Sequence, residues 1–297
     1  MAVTDLAMSE EEPISTNQEA PEKSFFGVII HSFFIIPFLI AVLGVLLFFA
    51  VRLLTMEPRT AYDYLNDVKT GSLTKRWQSA FELSKLMANF ESLSKDERFV
   101  SELMSAFEHS KHDDNRVRQY LALAMGRTAN ARFVPALVSA LKDEKEENLY
   151  ALIYALGLLR DHSATSAIEP YLEDPQPYIR LASVIALGDI GDPRAIGSLK
   201  KSLGDSEANV QWDAAIALAK LHDPSGKGIL SKLLHREYLV QFSTVDSKER
   251  NHILMVAVQA AYFLNDPQLN NEIAFLAEKD QNMEVRKVAS AVLKTKK

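Results

Sequence analysis

A constant interval between like residues constrains this chain more than any other feature. The stretches Leu123 to Asp143, Tyr154 to Asp174 and Ile185 to Asp205 align without gaps. Four columns persist at one 31-residue spacing: Gly126, Gly157, Gly188 and Ala219; Asn130, Asp161, Asp192 and Asp223; Leu137, Ile168, Leu199 and Leu230; Leu141, Leu172, Leu203 and Leu234. A fixed period of this length means one supersecondary unit repeated, each copy unable to bury its apolar face without its neighbours. Within a unit, Ile179, Ala182, Ala186 and Leu187 fall at helical spacing, and Ile196, Leu199 and Leu203 follow on a second helix after a turn. The pattern predicts stacked helical hairpins. Ala124, Ala155, Ala186 and Ala217 make a fifth column, where small side chains let neighbouring hairpins approach closely.

The turns carry their own signals. Asp192 is placed to cap the second helix and Pro193 to take its first position, where a missing N–H costs nothing. His222-Asp223-Pro224 and Asn265-Asp266-Pro267 repeat the device, while Asp143, Asp174 and Asp205 are expected to cap the first helix of the next unit. The register survives two insertions. Arg76 and Ser84 precede Arg118 and Gly126 by more than one period, which puts extra chain around Asn89 to Phe99. Asp223 and Asp266 are likewise more than one period apart, which puts a second insertion near His235 to Lys248. Units then begin near Leu73, Asp114, Glu144, Pro175, Ser206 and Lys248, and Asn282 to Lys297 supplies a closing helix. Trp77 and Trp212 fall on first helices and are expected in the core.

Ahead of the repeats, Phe25 to Val51 is an unbroken run without Asp, Glu, Lys or Arg. About 20 apolar residues suffice to cross a bilayer, and this run exceeds that. A cleaved signal peptide has a basic start and a small-residue cleavage site, and this run has neither. His31 lies near the end of the run, neutral at headgroup depth or paired with another protein's helix, and Pro37 is expected to kink the span. Only Lys23 precedes the run closely, whereas Arg52, Arg59 and Lys69 follow it, so the repeats are expected on the cytoplasmic side. Met1 to Ser24 sets Asp5, Glu10, Glu11, Glu12, Glu19 and Glu22 against Lys23, the composition of a disordered acidic tail. The expected layout is therefore a tail over 1–24, a transmembrane helix over 25–51, a juxtamembrane linker or helix over 52–73 and a solenoid over 74–297.

The string Asp-Pro-x-x-x-Ile-Arg at Asp174 to Arg180, Ala-Leu-Gly-Asp-Ile-Gly-Asp at Ala186 to Asp192 and Val285-Arg286 resemble the HEAT repeat, in the short bacterial form also found in the phycobilisome lyases. The resemblance covers Thr74 to Lys297. Arg59 to Met87, directly after the span, is also similar to a group of bacterial membrane-anchored HEAT proteins. The resemblance implies an all-α, HEAT-like α-solenoid of about six helical hairpins preceded by one N-terminal transmembrane helix, with the second helices lining the concave face. It implies no particular activity. One HEAT family, the deoxyhypusine hydroxylases, binds iron through repeated His-Glu pairs; none of His31, His109, His112, His162, His222, His235 and His252 is followed by Glu here.

No phosphate loop, Gly-x-Ser-x-Gly elbow or His-Glu-x-x-His helix is present, and the chain has no cysteine. No catalytic residue, cofactor or metal is therefore expected. Glu108, His109, His112, Asp113 and Asp114 form the one local cluster of ligand types. It reads either as a divalent-ion site or as a solvated turn in which Asp113 or Asp114 caps the next helix. With 33 Lys plus Arg against 39 Asp plus Glu, the net charge of −6 argues against nucleic acid. No small-molecule substrate is indicated.

The expected partner is a protein, membrane-associated, and the candidate partner-binding residues are of two kinds. Glu169, Tyr171, Lys200, Lys201 and Lys232 lie on second helices outside the core columns. Tyr238 and Phe242 lie in the second insertion, which either binds the partner or folds back onto the adjacent unit. The functional reading is a non-catalytic, membrane-tethered scaffold or adaptor serving a transporter or another membrane complex. It would sit as a single-pass protein of the inner (cytoplasmic) membrane with its repeats in the cytoplasm. The alternative is an enzyme or enzyme accessory on a HEAT frame, bilin-lyase-like or metal-dependent.

Overall fold

The computed structural model describes residues 31–55, 59–88, 96–144 and 146–295, and among these every regular element is helical. The chain divides into two compact units, residues 1–58 and 59–297.

In the first unit a π-helical turn, His31–Ile35, runs into helix α1, Ile36–Thr55. Pro37 stands at the second position of α1, directly after that wider turn, the kind of local adjustment that accommodates a residue with no N–H to donate. Phe33–Leu54 is long and apolar enough to cross a membrane, with a mean hydropathy of 3.0 and none of it buried. The acidic tail 1–24 and the first residues of the apolar run, 25–30, lie outside the described residues.

The second unit contains α2 (Ala61–Thr70), α3 (Leu73–Leu86), α4 (Glu97–His109), α5 (Asn115–Arg127), α6 (Val134–Leu141), α7 (Glu146–Leu159) and α8 (Thr165–Ile168), the last continued by a 3-10 turn, Glu169–Glu173. It goes on through α9 (Pro177–Ile190), α10 (Ile196–Ser202), α11 (Ala208–Lys220), α12 (Lys227–Leu233), α13 (Arg236–Val240), α14 (Ser247–Leu264), α15 (Pro267–Lys279) and α16 (Met283–Lys294). Among the described residues six hairpins result, pairing α3 with α4, α5 with α6, α7 with α8, α9 with α10, α11 with α12 and α14 with α15. Each first helix packs on the next, from α3 through α5, α7, α9, α11 and α14 to α16. This is the all-α solenoid that the periodic columns predict. Helix α2 adds to it: Ala61, Leu65 and Val68 are buried against α3 and α4, and a capping box between Thr60 and Asp63 starts the helix.

The stacking rests on the two small-residue columns meeting each other. A Cβ built on Gly126 would lie 2.7 Å from the Cα of Ala155, one on Gly157 2.9 Å from the Cα of Ala186, and one on Gly188 2.7 Å from the Cβ of Ala217. The glycines of α5, α7 and α9 thus lie against the alanine column of the next first helix. Behind this seam Leu137, Ile168, Leu199 and Leu230 are all fully buried.

Charge ties the same neighbours. Arg118 on α5 reaches Glu144 at 2.5 Å, Arg180 on α9 reaches Asp205 at 2.8 and 2.9 Å, and Arg76 on α3 pairs with Asp113. In each case a guanidinium on a first helix holds the carboxylate at the start of the next hairpin. This corrects one expectation. Asp174 and Asp205 do not cap the next first helix; each accepts from the amide two positions on, Gln176 and Glu207, in an Asx turn ahead of it. Asp205 is already engaged by Arg180, which holds its carboxyl below the usual range. Asp192, Asp223 and Asp266 do cap, accepting from Arg194, Ser225 and Gln268, although the first two open a single 3-10 turn before the second helix.

The turn before these caps is itself periodic. Ala129, Arg160, Gly191, His222 and Asn265 all have positive φ, between 49° and 75°, at one register position. Glycine and asparagine suit that conformation; alanine, arginine and histidine accept it because the stack on either side dictates the turn.

The seam makes two substitutions diagnostic. Gly157→Ala should cost about 1–3 kcal/mol in urea denaturation, because the backbone of the next helix must move. Gly197→Ala, where nothing lies within 4 Å, should instead stabilise by about 0.5–1 kcal/mol. Equal effects at the two sites would refute the close contact.

Asp213 on α11 interrupts a second column, since Ala151 and Ala182 precede it in the same register and are buried. Burial pushes its carboxyl up to about 6, countered by Lys220 and His252 and reinforced by Asp189. A folded-state value above the unfolded one means stability from this group is full at low pH and lost as pH rises through about 6. Asp213→Asn should therefore be more stable than the parent at neutral pH, by on the order of 1–3 kcal/mol, and should flatten the decline between about pH 4 and 6. A variant with the parent's pH profile would show that Asp213 is ordinarily solvated.

Candidate interaction surface

The second helices carry most of the candidate partner-binding residues, and the fold separates them into struts and solvent-facing groups. Glu169 and Tyr171 sit on the 3-10 turn after α8, Lys200 and Lys201 on α10, and Lys232 on α12. Glu169 and Lys201 are brought together around an open cavity of about 450 Å³ between that turn and α10, also lined by Glu173, Arg180, Asp205 and Ser206. There Glu169 accepts from the Ser198 hydroxyl at 2.9 Å, and Lys201 stands 3.9 Å from Glu173. The cavity is polar and carries both signs of charge. Lys200 turns away from it, its Nζ lying 2.8 Å from Asp223 at the following turn. Tyr171 is half-buried and donates to the Leu141 carbonyl at 2.7 Å, and burial raises its hydroxyl pKa; it braces α8 against α6. Lys232 is exposed.

Tyr238 and Phe242 are held elsewhere. The insertion folds back onto α11, where the Phe242 ring meets Trp212 at 4.8 Å between centroids and Tyr238 meets it at 6.2 Å. The Trp212 indole N–H donates to the Tyr238 hydroxyl at 3.2 Å. Of the two readings open for this segment, the packing is the one in which it roofs the adjacent hairpin. Leu239 and Val245 are buried with it, leaving Val240 as the insertion's exposed apolar side chain.

A second concavity, of about 670 Å³, opens between α13 and α15 and is lined by His235, Arg236, Glu272, Phe275, Lys279 and Asp280, among others. Arg236 is fixed by Asp280 at 2.7 and 2.8 Å, and Glu272 accepts from Ser231 at 2.8 Å and from Gln268 at 3.1 Å. Phe275 stands 64% exposed at its edge. The signal for it was in the register: Pro170, Lys201, Lys232 and Phe275 share one position, and an aromatic ring there closes a column of solvent-facing residues.

The ligand-type residues between α4 and α5 have local employment. Asp114 caps α5 through the Arg116 amide at 2.9 Å, Asp113 pairs with Arg76, and a ring nitrogen of His109 lies 2.7 Å from the Ser105 carbonyl oxygen. Among the described residues no group of three or more His, Asp or Glu is placed to hold a metal ion.

Comparison with known proteins agrees with this architecture. No curated protein matches the sequence significantly. Among solved structures, the complex of CpcE and CpcF of phycocyanin lyase from Nostoc sp. PCC7120 is similar at 21% identity over 80% of this chain and 96% of that one, with a TM-score of 0.55. That likeness shows the fold alone. A designed armadillo repeat protein in complex with the peptide (KR)4 matches at 15% identity over 80% and 99% of the two chains, TM-score 0.44. Human deoxyhypusine hydroxylase matches at 17% over 79% and 93%, TM-score 0.32. Both of these are too distant in superposition to bear on function. The HEAT-repeat family model matches residues 100–177 and 165–246, and this part of the chain is built of HEAT repeats.

Proposed function

We propose that this chain is a non-catalytic scaffold, tethered in a membrane by α1, that binds another protein along the second-helix face of its solenoid. The observation that carries the reading is the pairing of two unlike units in one chain. One is a wholly exposed apolar helix, Phe33–Leu54, whose 22 residues reach about 33 Å at helical rise, close to a bilayer's hydrocarbon thickness. The other is a repeat fold of the kind suited to protein interaction, whose surface shows mixed charges at Glu169, Lys201 and Lys232 and an exposed ring at Phe275. The excess of Arg52, Arg59 and Lys69 over Lys23 favours repeats on the cytoplasmic side, in the inner membrane of a bacterium. A tether raises the effective concentration of partners in the same bilayer, so a modest contact surface suffices for a transporter or another membrane complex.

The test is recovery of the partner with the full chain from membranes in mild detergent, set beside a variant carrying Lys201→Glu, Lys232→Glu and Phe275→Ala. The expected result is a membrane protein that co-purifies with the parent and is lost from the variant, while helical signal and melting temperature stay near the parent's. Equal recovery by both would sink the second-helix reading.

A further inference from the structure

The first helices carry an outer column whose burial differs from unit to unit. Trp77, Gln119, Tyr150, Leu181 and Trp212 share one register position, the step from Trp77 to Gln119 being lengthened by the first insertion. Toward the far end Trp212 is only 6% exposed, because Tyr238 and Phe242 of the second insertion roof it. At the near end Trp77 is half-buried and has the Arg116 guanidinium 4.5 Å from its ring centre. Its neighbours one helical turn away on α3 are Leu73, 69% exposed, and Phe81, 37% exposed. Phe81 meets Tyr120 edge-on at 5.1 Å and has the Lys85 ammonium 5.1 Å from its ring. Arg59 stands 4.5 Å over Tyr64, and Arg59, Tyr64, Lys75, Trp77 and Phe81 border a single open concavity of about 530 Å³.

We propose that this face of the first hairpin, Leu73, Trp77 and Phe81 with their rim of Arg59, Lys75, Lys85 and Arg116, docks on the lipid surface of the membrane that holds α1. The proposal rests on the membrane reading above and goes beyond it. Two observations choose lipid as the occupant. Five residues separate the end of α1 at Thr55 from the start of α2 at Ala61, about 20 Å of chain at full extension, so a bilayer spanned by α1 is presented to this hairpin at high local concentration. The composition is that of an interfacial belt: aromatic rings and one aliphatic side chain, bordered by long cationic side chains whose stems cover apolar surface while their heads reach headgroup depth. The rim is close to neutral, since Asp67 pairs with Arg59 and Lys75, Glu82 with Lys85 and Asp114 with Arg116. Apolar burial rather than charge therefore drives the contact, and it should persist in zwitterionic lipid and at raised salt.

The chain has no cysteine, so single cysteines can be labelled uniquely with a nitroxide. The full chain is placed in phosphatidylcholine vesicles with the label at Thr74→Cys, an exposed position beside the patch, at Phe48→Cys in α1, or at Lys232→Cys on α12. The expected result is a label at 74 more accessible to oxygen than to a water-soluble nickel chelate, a label at 48 deeper still, and a label at 232 with the opposite preference. Adding Trp77→Ser and Phe81→Ser should return the label at 74 to water with helical signal unchanged. A label at 74 that behaves like the one at 232, while 48 reports lipid, overturns the docking and leaves the tether standing. A label at 48 open to the nickel chelate overturns the tether and the docking with it. A label at 74 shielded from both reagents means that protein, not lipid, covers this face, and also overturns the proposal.

Discussion

The contact between one helix's glycine and the next helix's alanine is the constraint on which the rest of this solenoid depends. At Gly126, Gly157 and Gly188 the facing residue comes closer than any side chain would allow. Backbones that approach so nearly leave no room in the seam for larger residues. These pack on the second helices instead, as in the fully buried column through Leu137, Ile168, Leu199 and Leu230. Charge then locks the spacing that close packing sets. The Arg118–Glu144 pair is buried on both sides and Arg180–Asp205 nearly so, positions where removing one partner leaves an uncompensated charge.

This arrangement distributes surface chemistry by column. The inner column is apolar and buried at Leu137, Ile168, Leu199 and Leu230, whereas the solvent-facing positions differ widely from repeat to repeat. Along one second-helix column Pro170 gives way to Lys201, Lys232 and Phe275; along the outer first-helix column Trp77 is followed by Gln119, Tyr150, Leu181, Trp212 and Met255. Trp212 of the outer column is covered by the chain's own insertion. Trp77 lies in the hairpin nearest α1 in sequence, where the proposed membrane would serve as the cover. The second-helix face is the one proposed for a protein partner.

The periodic part of the fold was legible in the sequence because each column is a physical requirement met many times over. Glycine and alanine mark the seam, leucine the core and aspartate the turn, and the repetition makes each signal plain. Features that occur once were harder to read. Helix α2 has no repeat partner, so periodicity leaves it in a juxtamembrane stretch even though Ala61, Leu65 and Val68 have helical spacing. The insertion at 235–248 is visibly out of register, yet spacing alone does not say which neighbour Tyr238 and Phe242 cover; that depends on Trp212, 26 residues before Tyr238. The carboxylates before α9 and α11 read as caps because the local sequence suits capping, and the arginine that claims Asp205 lies 25 residues upstream. Of the candidate binding residues, Lys232, Lys201 and Lys200 remain exposed, Lys200 paired with Asp223, whereas Tyr171 is used internally, through a partner that no linear pattern names.

Removing one whole unit tests most directly whether the glycine and alanine columns set the stack. Deleting residues 175–205 takes out one full period, joins Asp174 to Ser206 and brings Gly157 opposite Ala217 in place of Ala186. If the columns govern the register, the shortened chain unfolds in one cooperative, less stable transition, and Gly157→Ala costs as much in it as in the parent, because the same contact has re-formed. A shortened chain that has lost cooperative unfolding, or one in which Gly157→Ala has no effect, would contradict that claim.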